Sequence, residues 1–394
     1  MSERKLVTVR EIVALDPIEG ADLIEVATVG AWKLVVKKGE FKVGDLCVYF
    51  EIDSFLPESD PRYAFLMKAG VREFEGARGH KLRTIKLRGQ LSQGLALPTS
   101  LFPEILAAFD AVGTVSISTS IFEMDFTELL GIKKYEAPMS AELAGQAEGY
   151  FPSFIRKTDQ ERCQNLKAEI FGYEEVLKEV EFDADKIPPE AIAAGRLKII
   201  DGKVYSVHPA KAVRGARYEV TVKLDGTSGT FFHYNGTVGV CSRNLQLKVN
   251  EDNKDNTFIK ILRELGLDRD LPNLGNIAIQ GEVMGEGIQK NREQLKGHAL
   301  FVFDMQNLDT GEYLTATERA EVMTKLSNKV FHVPVLHADV SLEELGLATV
   351  DDLLKFAEGP SLKNPIREGV VFKRLDGKFS FKAISNLFLM KEKD

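Results

Sequence analysis

Residues 218–232 read YEVTVKLDGTSGTFF, and this stretch decides how the rest of the chain is read. Tyr218, Val220 and Val222 alternate as in a half-buried strand, and a second apolar run ends in Phe231 and Phe232. Asp225-Gly226 between the runs predicts a hairpin, because a type I′ turn needs positive φ at both central residues. Lys223 closes the first run, two residues before a carboxylate and three before a glycine that leaves room for a ligand to approach the backbone. That setting suits a nucleophilic lysine; the plainer reading is a solvated lysine beside a turn.

Working outward from Lys223, five further stretches follow in order: Ser242-Arg243-Asn244, GEVMGEGIQK from Gly281, LFVFDM from Leu300, REGVVFK from Arg367, and FSFKAIS from Phe379. K-x-D-G alone is short enough to arise by chance, so the ordered series carries the reading. It resembles the covalent nucleotidyltransferase superfamily of ATP-dependent ligases and RNA capping enzymes. The GE…GxGIQK element and the N-terminal region look most like ATP-dependent RNA ligases, in particular the fifth family, which carries an oligonucleotide-binding (OB) domain ahead of the catalytic one.

Composition sets the frame for that resemblance. With 394 residues, 44% hydrophobic, the chain has room for two or three globular domains. A net charge of −8 argues against coating nucleic acid through bulk charge and leaves only recognition at a local site. Cys47, Cys163 and Cys241 are far apart and in no metal-ligand spacing, so free thiols in a reducing compartment are expected. The start MSERKLVTV does not read as a signal peptide, and no apolar run reaches membrane length. A soluble, cytoplasmic monomer is the expectation.

Residues 1–146 contain short alternating runs punctuated by turns, among them Leu6–Val9, Leu23–Val26, Leu34–Val36 and Leu46–Phe50, which predicts an OB-type β-barrel that binds nucleic acid. Lys81, Arg83, Lys86 and Arg88 make it locally basic, either as a solvated strand edge or as phosphate contacts. Trp32, the single tryptophan, is read as core packing, with base stacking as the alternative. Strand-like VGTVSIST follows at 112–119.

Residues 147–394 are expected to form the nucleotidyltransferase domain, an α+β assembly of antiparallel sheets flanked by helices. FPSFIRKTDQERCQN (151–165) resembles the stretch that opens this domain in the ligase family; Thr158 or Asp159 is read as a helix cap, and Lys157 and Arg162 as near the nucleotide or a domain interface. An insertion is expected at about 168–215, starting helical (AEIFGYEEVLKEVEF) and continuing as a strand pair about Asp201-Gly202. Helices are expected from 256 to 271, 316 to 327 and 341 to 357, and strands at NIAIQGEVM, HALFVFDM, GVVFKRL and FSFKAI.

The resemblance implies a three-step reaction: a lysine takes AMP from ATP, passes it to an RNA 5′-phosphate, and a 3′-OH displaces it to seal the strand. Lys223 is then the nucleophile. An ordinary lysine, with a pKa of ~10.4, must lose its proton to attack, and Lys382 together with hydrated Mg²⁺ or Mn²⁺ would supply the field that lowers it. The metal would be held by Asp225 and Glu368 through waters. The resemblance further implies Glu282 on the ribose hydroxyl, Phe303 stacked on adenine, Arg243 on sugar and phosphates, and Lys373 and Lys382 on phosphates. The catalytic set is therefore Lys223, Lys382 and Arg243. The partners are RNA 3′-OH and 5′-phosphate ends, as in RNA repair.

Two departures stand out. Many relatives have an acidic residue directly before the nucleophile, where this chain has Val222, which leaves adenine to the backbone or to Glu219. Related ligases often carry a second lysine two residues after the Lys382 position; here Ile384 stands there, and Lys378 is the candidate substitute. Only ten residues follow FSFKAI, whereas DNA ligases and capping enzymes place their OB domain after the last motif, so an RNA ligase is the expectation. A DNA-joining or capping enzyme, and an RNA-binding protein with a decayed transferase domain, remain as alternatives.

Overall fold

The computed structural model describes residues 4–113, 121, 124–136, 145–180, 197–200, 203–212, 216–327 and 329–391. The chain divides into two compact units, one of residues up to Gly145 together with the chain from Leu389 on, the other Gln146–Phe388.

The first unit is built on a five-stranded antiparallel sheet, β10-β4-β1-β2-β3. Its strands are β1 (Val7–Pro17), β2 (Ile24–Val29), β3 (Trp32–Lys37), β4 (Leu46–Phe50) and, after the short strands described next, β10 (Leu95–Pro98). A second sheet joins β5 (Ser54–Pro57), β6 (Arg72–Phe74) and β7 (Ala77–Lys81) to β11 (Lys133–Lys134); β8 (Ile85–Leu87) and β9 (Gln90–Ser92) form a separate hairpin. The edge strand β3 is tied back to the end of β9, where the Gln93 N–H donates to the Lys33 carbonyl at 3.0 Å and the Val35 N–H to Ser92 Oγ at 3.0 Å. This curls the sheet into an OB-type barrel. Trp32 and Tyr49 lie fully buried on one side of the sheet, and Phe50, Tyr63, Phe102 and Phe126 on the other. Trp32 is therefore a core residue and offers no face to a base. The predicted strand at 112–119 lies mostly outside the described residues.

The second unit contains two larger sheets that share one stretch of chain. The seven-stranded sheet runs β12-β20-β19-β18-β21-β22-β23. It comprises β12 (Ala147–Tyr150), β18 (Thr227–Tyr234), β19 (Thr237–Cys241), β20 (Leu245–Leu247), β21 (Ile277–Gly285), β22 (His298–Asn307) and β23 (Val330–His332). The five-stranded sheet runs β13-β26-β25-β17-β24. It comprises β13 (Glu161–Arg162), β17 (Arg217–Lys223), β24 (Val335–Ser341), β25 (Gly369–Arg374) and β26 (Ser380–Ile384). Helices Thr257–Glu264 and Leu267–Asp270 cover the outer face of the larger sheet, burying Ile259, Ile261, Leu262 and Leu267 against Phe231, Ile279 and Val302. The fold is α+β, as expected, with strands at all four predicted stretches.

Several local expectations are corrected. Asp225-Gly226 is not a hairpin: β17 pairs with β24 and β25, while β18 pairs with β19 and β21, so the chain crosses from one sheet to the other at 224–226. Gly226 is outside the positive-φ region. It is needed for close approach, since a Cβ there would lie 2.5 Å from the Val283 carbonyl oxygen. Thr158 and Asp159 cap no helix: residues 158–160 have no regular secondary structure and lead into β13, and the helix begins at Lys167. Within 168–215, the helix is confined to Lys167–Phe171. Tyr173–Val180 (β14) is a strand in a three-stranded sheet with Leu197–Ile200 (β15) and Lys203–Ala212 (β16); residues 181–196 lie outside the described set. The helix expected over 341–357 is Val350–Phe356 alone, and the one over 316–327 is Ala316–Met323. Lys378 precedes β26 in a turn, where its N–H donates to Asp376, so it is no strand partner of Lys382.

Candidate active site

Lys223 ends β17, and strand register fixes its neighbour. It pairs with Gly369 at the start of β25, which places Glu368 beside it, and Lys223 Nζ donates to Glu368 Oε2 at 2.7 Å. Glu368 directly follows Arg367. That buried guanidinium donates to the carbonyls of Phe356, Ala357 and Glu358 at 2.6–3.0 Å, closing the end of the Val350–Phe356 helix. Cations suit a helix C-terminus, so Arg367 is itself anchored where the chain enters Glu368.

The crossover after Lys223 brings the second sheet's acid into the same place. Glu282 on β21 accepts the Gly226 N–H at 3.0 Å through Oε1. Asp225, in the crossover itself, is ion-paired with Arg292 at 2.9 Å. Three carboxylates thus surround one lysine. Burial drives the Glu282 carboxyl up to about 7, with Lys223 pulling the other way and Glu368 and Asp225 adding to the rise. Burial also raises the Asp225 pKa, helped by Glu368 and opposed by Arg292 and Lys223. For Lys223, burial favours the neutral amine, but Glu368, Glu282 and Asp225 together outweigh it and hold the proton on.

Lys382 on β26 lies on the same sheet, 3.1 Å from Asp159 Oδ1. Burial lowers its pKa; Asp159 opposes, and Lys223 and Arg162 push the same way as burial. Arg243, in the turn between β19 and β20, is two-thirds exposed and faces Asp159 at 3.7 Å.

Phe303 is placed by a bulge. Gln280 pairs with Asp304 and Gly281 with Val302, so Phe303 is the extra residue on β22. The bulge lets consecutive residues face the same side of the sheet. Phe303 packs toward Val222, Leu224 and Met284, while Asp304 faces the side shared by Gln280 and Glu282. The Phe303 carbonyl accepts from Lys373 Nζ, which also pairs with Asp304 at 2.6 Å. Lys373 is therefore committed to the strand carrying Phe303. Glu219, the alternative adenine reader, is committed too: it forms a buried ion pair with Arg319.

The structure thus brings Lys223, Asp225, Glu282 and Glu368 together, sets Lys382 beside them with Arg243 reached through Asp159, and couples Phe303 to Lys373. Sequence reasoning missed Asp159, Arg292, Asp304 and Arg367. Asp159 was in view as a helix cap, and Asp304 and Arg367 directly adjoin recognised residues, whereas nothing local ties Arg292 to Asp225. Cys47, Cys163 and Cys241 are buried and free, and burial pushes each thiol up to about 12. No helix among the described residues is long and apolar enough to cross a membrane.

Residues 6–99 match an OB-fold domain family, and residues 216–384 match the family described as RNA ligase. Among solved structures, the chain is similar to Naegleria gruberi RNA ligase in several states. A glutamate-to-alanine mutant with AMP and Mn is 41% identical, with 99% of each chain covered and a TM-score of 0.74. The form with PPi is 42% identical, again with 99% of each chain covered, at a TM-score of 0.72. A lysine-to-alanine mutant with ATP and Mn is 41% identical over 98% of this chain and 99% of that one, at 0.73. A search of curated proteins found no match.

Proposed function

We propose the following reaction from one premise: the chain belongs to the RNA ligase family, in the branch with an OB-fold domain ahead of the ligase domain. It is an ATP-dependent RNA ligase, an enzyme whose substrates are ATP and RNA. The observation that carries the residue assignments is the Lys223–Glu368 contact at 2.7 Å, set among Asp225, Glu282 and Lys382.

A divalent ion belongs to this reading, and the donor set can be tested for it. The acids around Lys223 are hard oxygen donors, suited to Mg²⁺ or Mn²⁺. Among the described residues no three acidic, histidine or cysteine side chains converge closely enough to cage an ion directly. Glu368 and Asp225 each already hold a cationic side chain, and Glu282 titrates near 7. Carboxylates already engaged by cationic side chains, with no tight cage among them, fit an ion held through its water shell by Asp225 and Glu368. Bound there, the ion supplies positive charge that favours the neutral Lys223 amine and offsets charge on the phosphates.

The chain's own residues then divide the work. Lys223 Nζ attacks the α-phosphorus of ATP; an N–P bond forms, the bond to the β-phosphate oxygen breaks, and pyrophosphate leaves with the bonding pair. Until it attacks, Lys223 is held in place by the hydrogen bond it donates to Glu368, and that carboxylate is the acceptor for the proton the amine gives up as the N–P bond forms. Lys382 and Arg243 direct N–H groups at the phosphates, where negative charge develops. Glu282 holds the ribose hydroxyl, and Phe303 stacks on adenine with Lys373 and Asp304 bracing its bulge. The AMP then passes to an RNA 5′-phosphate, and an RNA 3′-OH displaces it.

We assign residues 1–146 to an OB domain that positions RNA and 147–394 to adenylyl transfer, with an insertion at about 168–215. The protein acts as a monomer, and its three free thiols support a reducing, cytoplasmic location. The end chemistry is tested with paired RNA strands in ATP and Mn²⁺. Strands with a 3′-OH and a 5′-phosphate should be joined, and strands with a 5′-OH or a 3′-phosphate should not. Joining of 5′-OH ends would contradict the scheme.

A further inference from the structure

Residues 156–163 run across the cleft between the two sheets of the second unit and are fastened at both ends. On the larger sheet, the Arg156 carbonyl accepts from Gln280 Nε2 at 2.8 Å, and the Thr158 hydroxyl bonds to Gln280 and Asp304. On the smaller sheet, β13 pairs in parallel with β26, and the Cys163 N–H donates to the Lys382 carbonyl at 2.9 Å. Asp159 sits between these anchors. One of its oxygens is 3.1 Å from Lys382 on the smaller sheet and the other 3.7 Å from Arg243, in a turn of the larger one.

We infer that Asp159 is a positioning residue, a carboxylate that ties the two phosphate-directed cations, Lys382 and Arg243, to each other across the nucleotide cleft. This rests on the reaction proposed above. Two cations converging on one phosphate group repel each other before the phosphate arrives, and an anion fixed between them removes that repulsion. An ammonium has three donors and a guanidinium five, so Lys382 can keep its hydrogen bond and Arg243 its ion pair to Asp159 and each still present N–H groups to a phosphate. Asp159 is half exposed and its two partners differ widely in exposure, Arg243 at 67% and Lys382 at 19%, so the contact links the outer and inner ends of the phosphate site. Asp159 also opposes the loss of the Lys382 proton that burial favours.

The test is single-turnover adenylylation at varied ATP in Mn²⁺, comparing wild type, Asp159→Asn and Asp159→Glu, with the melting temperature of each read first. Asp159→Asn keeps the shape and removes the charge. Its maximal rate should fall about tenfold through lost orientation, while the half-saturating ATP concentration stays level or falls, because one anion has left the site. Asp159→Glu should recover most of the rate. If Asp159→Asn does not fold, Asp159→Glu carries the comparison: a rate within threefold of wild type supports the role, and a tenfold loss overturns it. An Asp159→Asn rate within twofold of wild type, or a slow rate with raised half-saturation, also overturns it. A wild type that takes no label would instead overturn the proposed reaction itself.

Discussion

Glu282→Gln separates the cost of burying a carboxylate from its use. Burial lifts the Glu282 carboxyl from 4.5 to about 7. Between those two values the folded chain keeps a proton that the unfolded chain has released, so stability falls as pH rises through the window and levels off above it. At 1.36 kcal/mol per unit, the full penalty is about 3 kcal/mol. Glutamine keeps the acceptor that binds the Gly226 N–H and nearly the same volume, but carries no proton to lose. In metal-free buffer the variant should therefore gain stability over wild type as pH rises. The difference measured by urea unfolding should grow by about 2–3 kcal/mol from pH 5 to pH 8. The same variant should adenylylate poorly, since the carboxylate assigned to the ribose is gone. A stability difference that stays constant from pH 5 to pH 8 would refute the argument, because every other titrating group is common to both proteins.

Two further predictions concern the frame. Gly226→Ala drives a methyl to 2.5 Å from the Val283 carbonyl and 3.0 Å from Glu282 Cγ; it should cost about 1–3 kcal/mol in urea unfolding and slow adenylylation, and a silent substitution would show that the crossover is loosely packed. Glu219→Gln leaves the buried Arg319 charge without its carboxylate; the loss should be on the order of 3 kcal/mol, and a change below about 0.5 kcal/mol, the range of ordinary surface substitutions, would mean that the pair is not desolvated.

Much of the architecture was legible because strands in this chain alternate or run apolar where they are buried. Leu46–Phe50, Ile277–Gly285 and Gly369–Arg374 are strands in the sequence and in the structure. The hairpin at Asp225-Gly226 was misread for a physical reason: strand, turn glycine and strand look alike whether the second strand pairs with the first or enters another sheet. Only the long-range partners decide, and here β21 and β25 compete successfully for the two strands. The same limit hid the strand character of Tyr173–Val180, whose YEEVLKEV fits helical and alternating periods about equally. At the site, the reacting groups were legible as residue types in order, but their supports were not. Arg292 lies 67 positions from Asp225 and Asp159 lies 223 from Lys382, separations that no local pattern encodes. The Phe303 bulge was equally hidden, since it exists only as a register shift against β21.

AMP should become attached to one side chain, that of Lys223. The protein is incubated with labelled ATP and Mn²⁺, digested, and its peptides are sequenced by mass spectrometry. AMP on the side chain of Lys223, with no adduct in Lys223→Met, is the predicted result. An adduct on any other residue, or undiminished labelling of Lys223→Met, would contradict it.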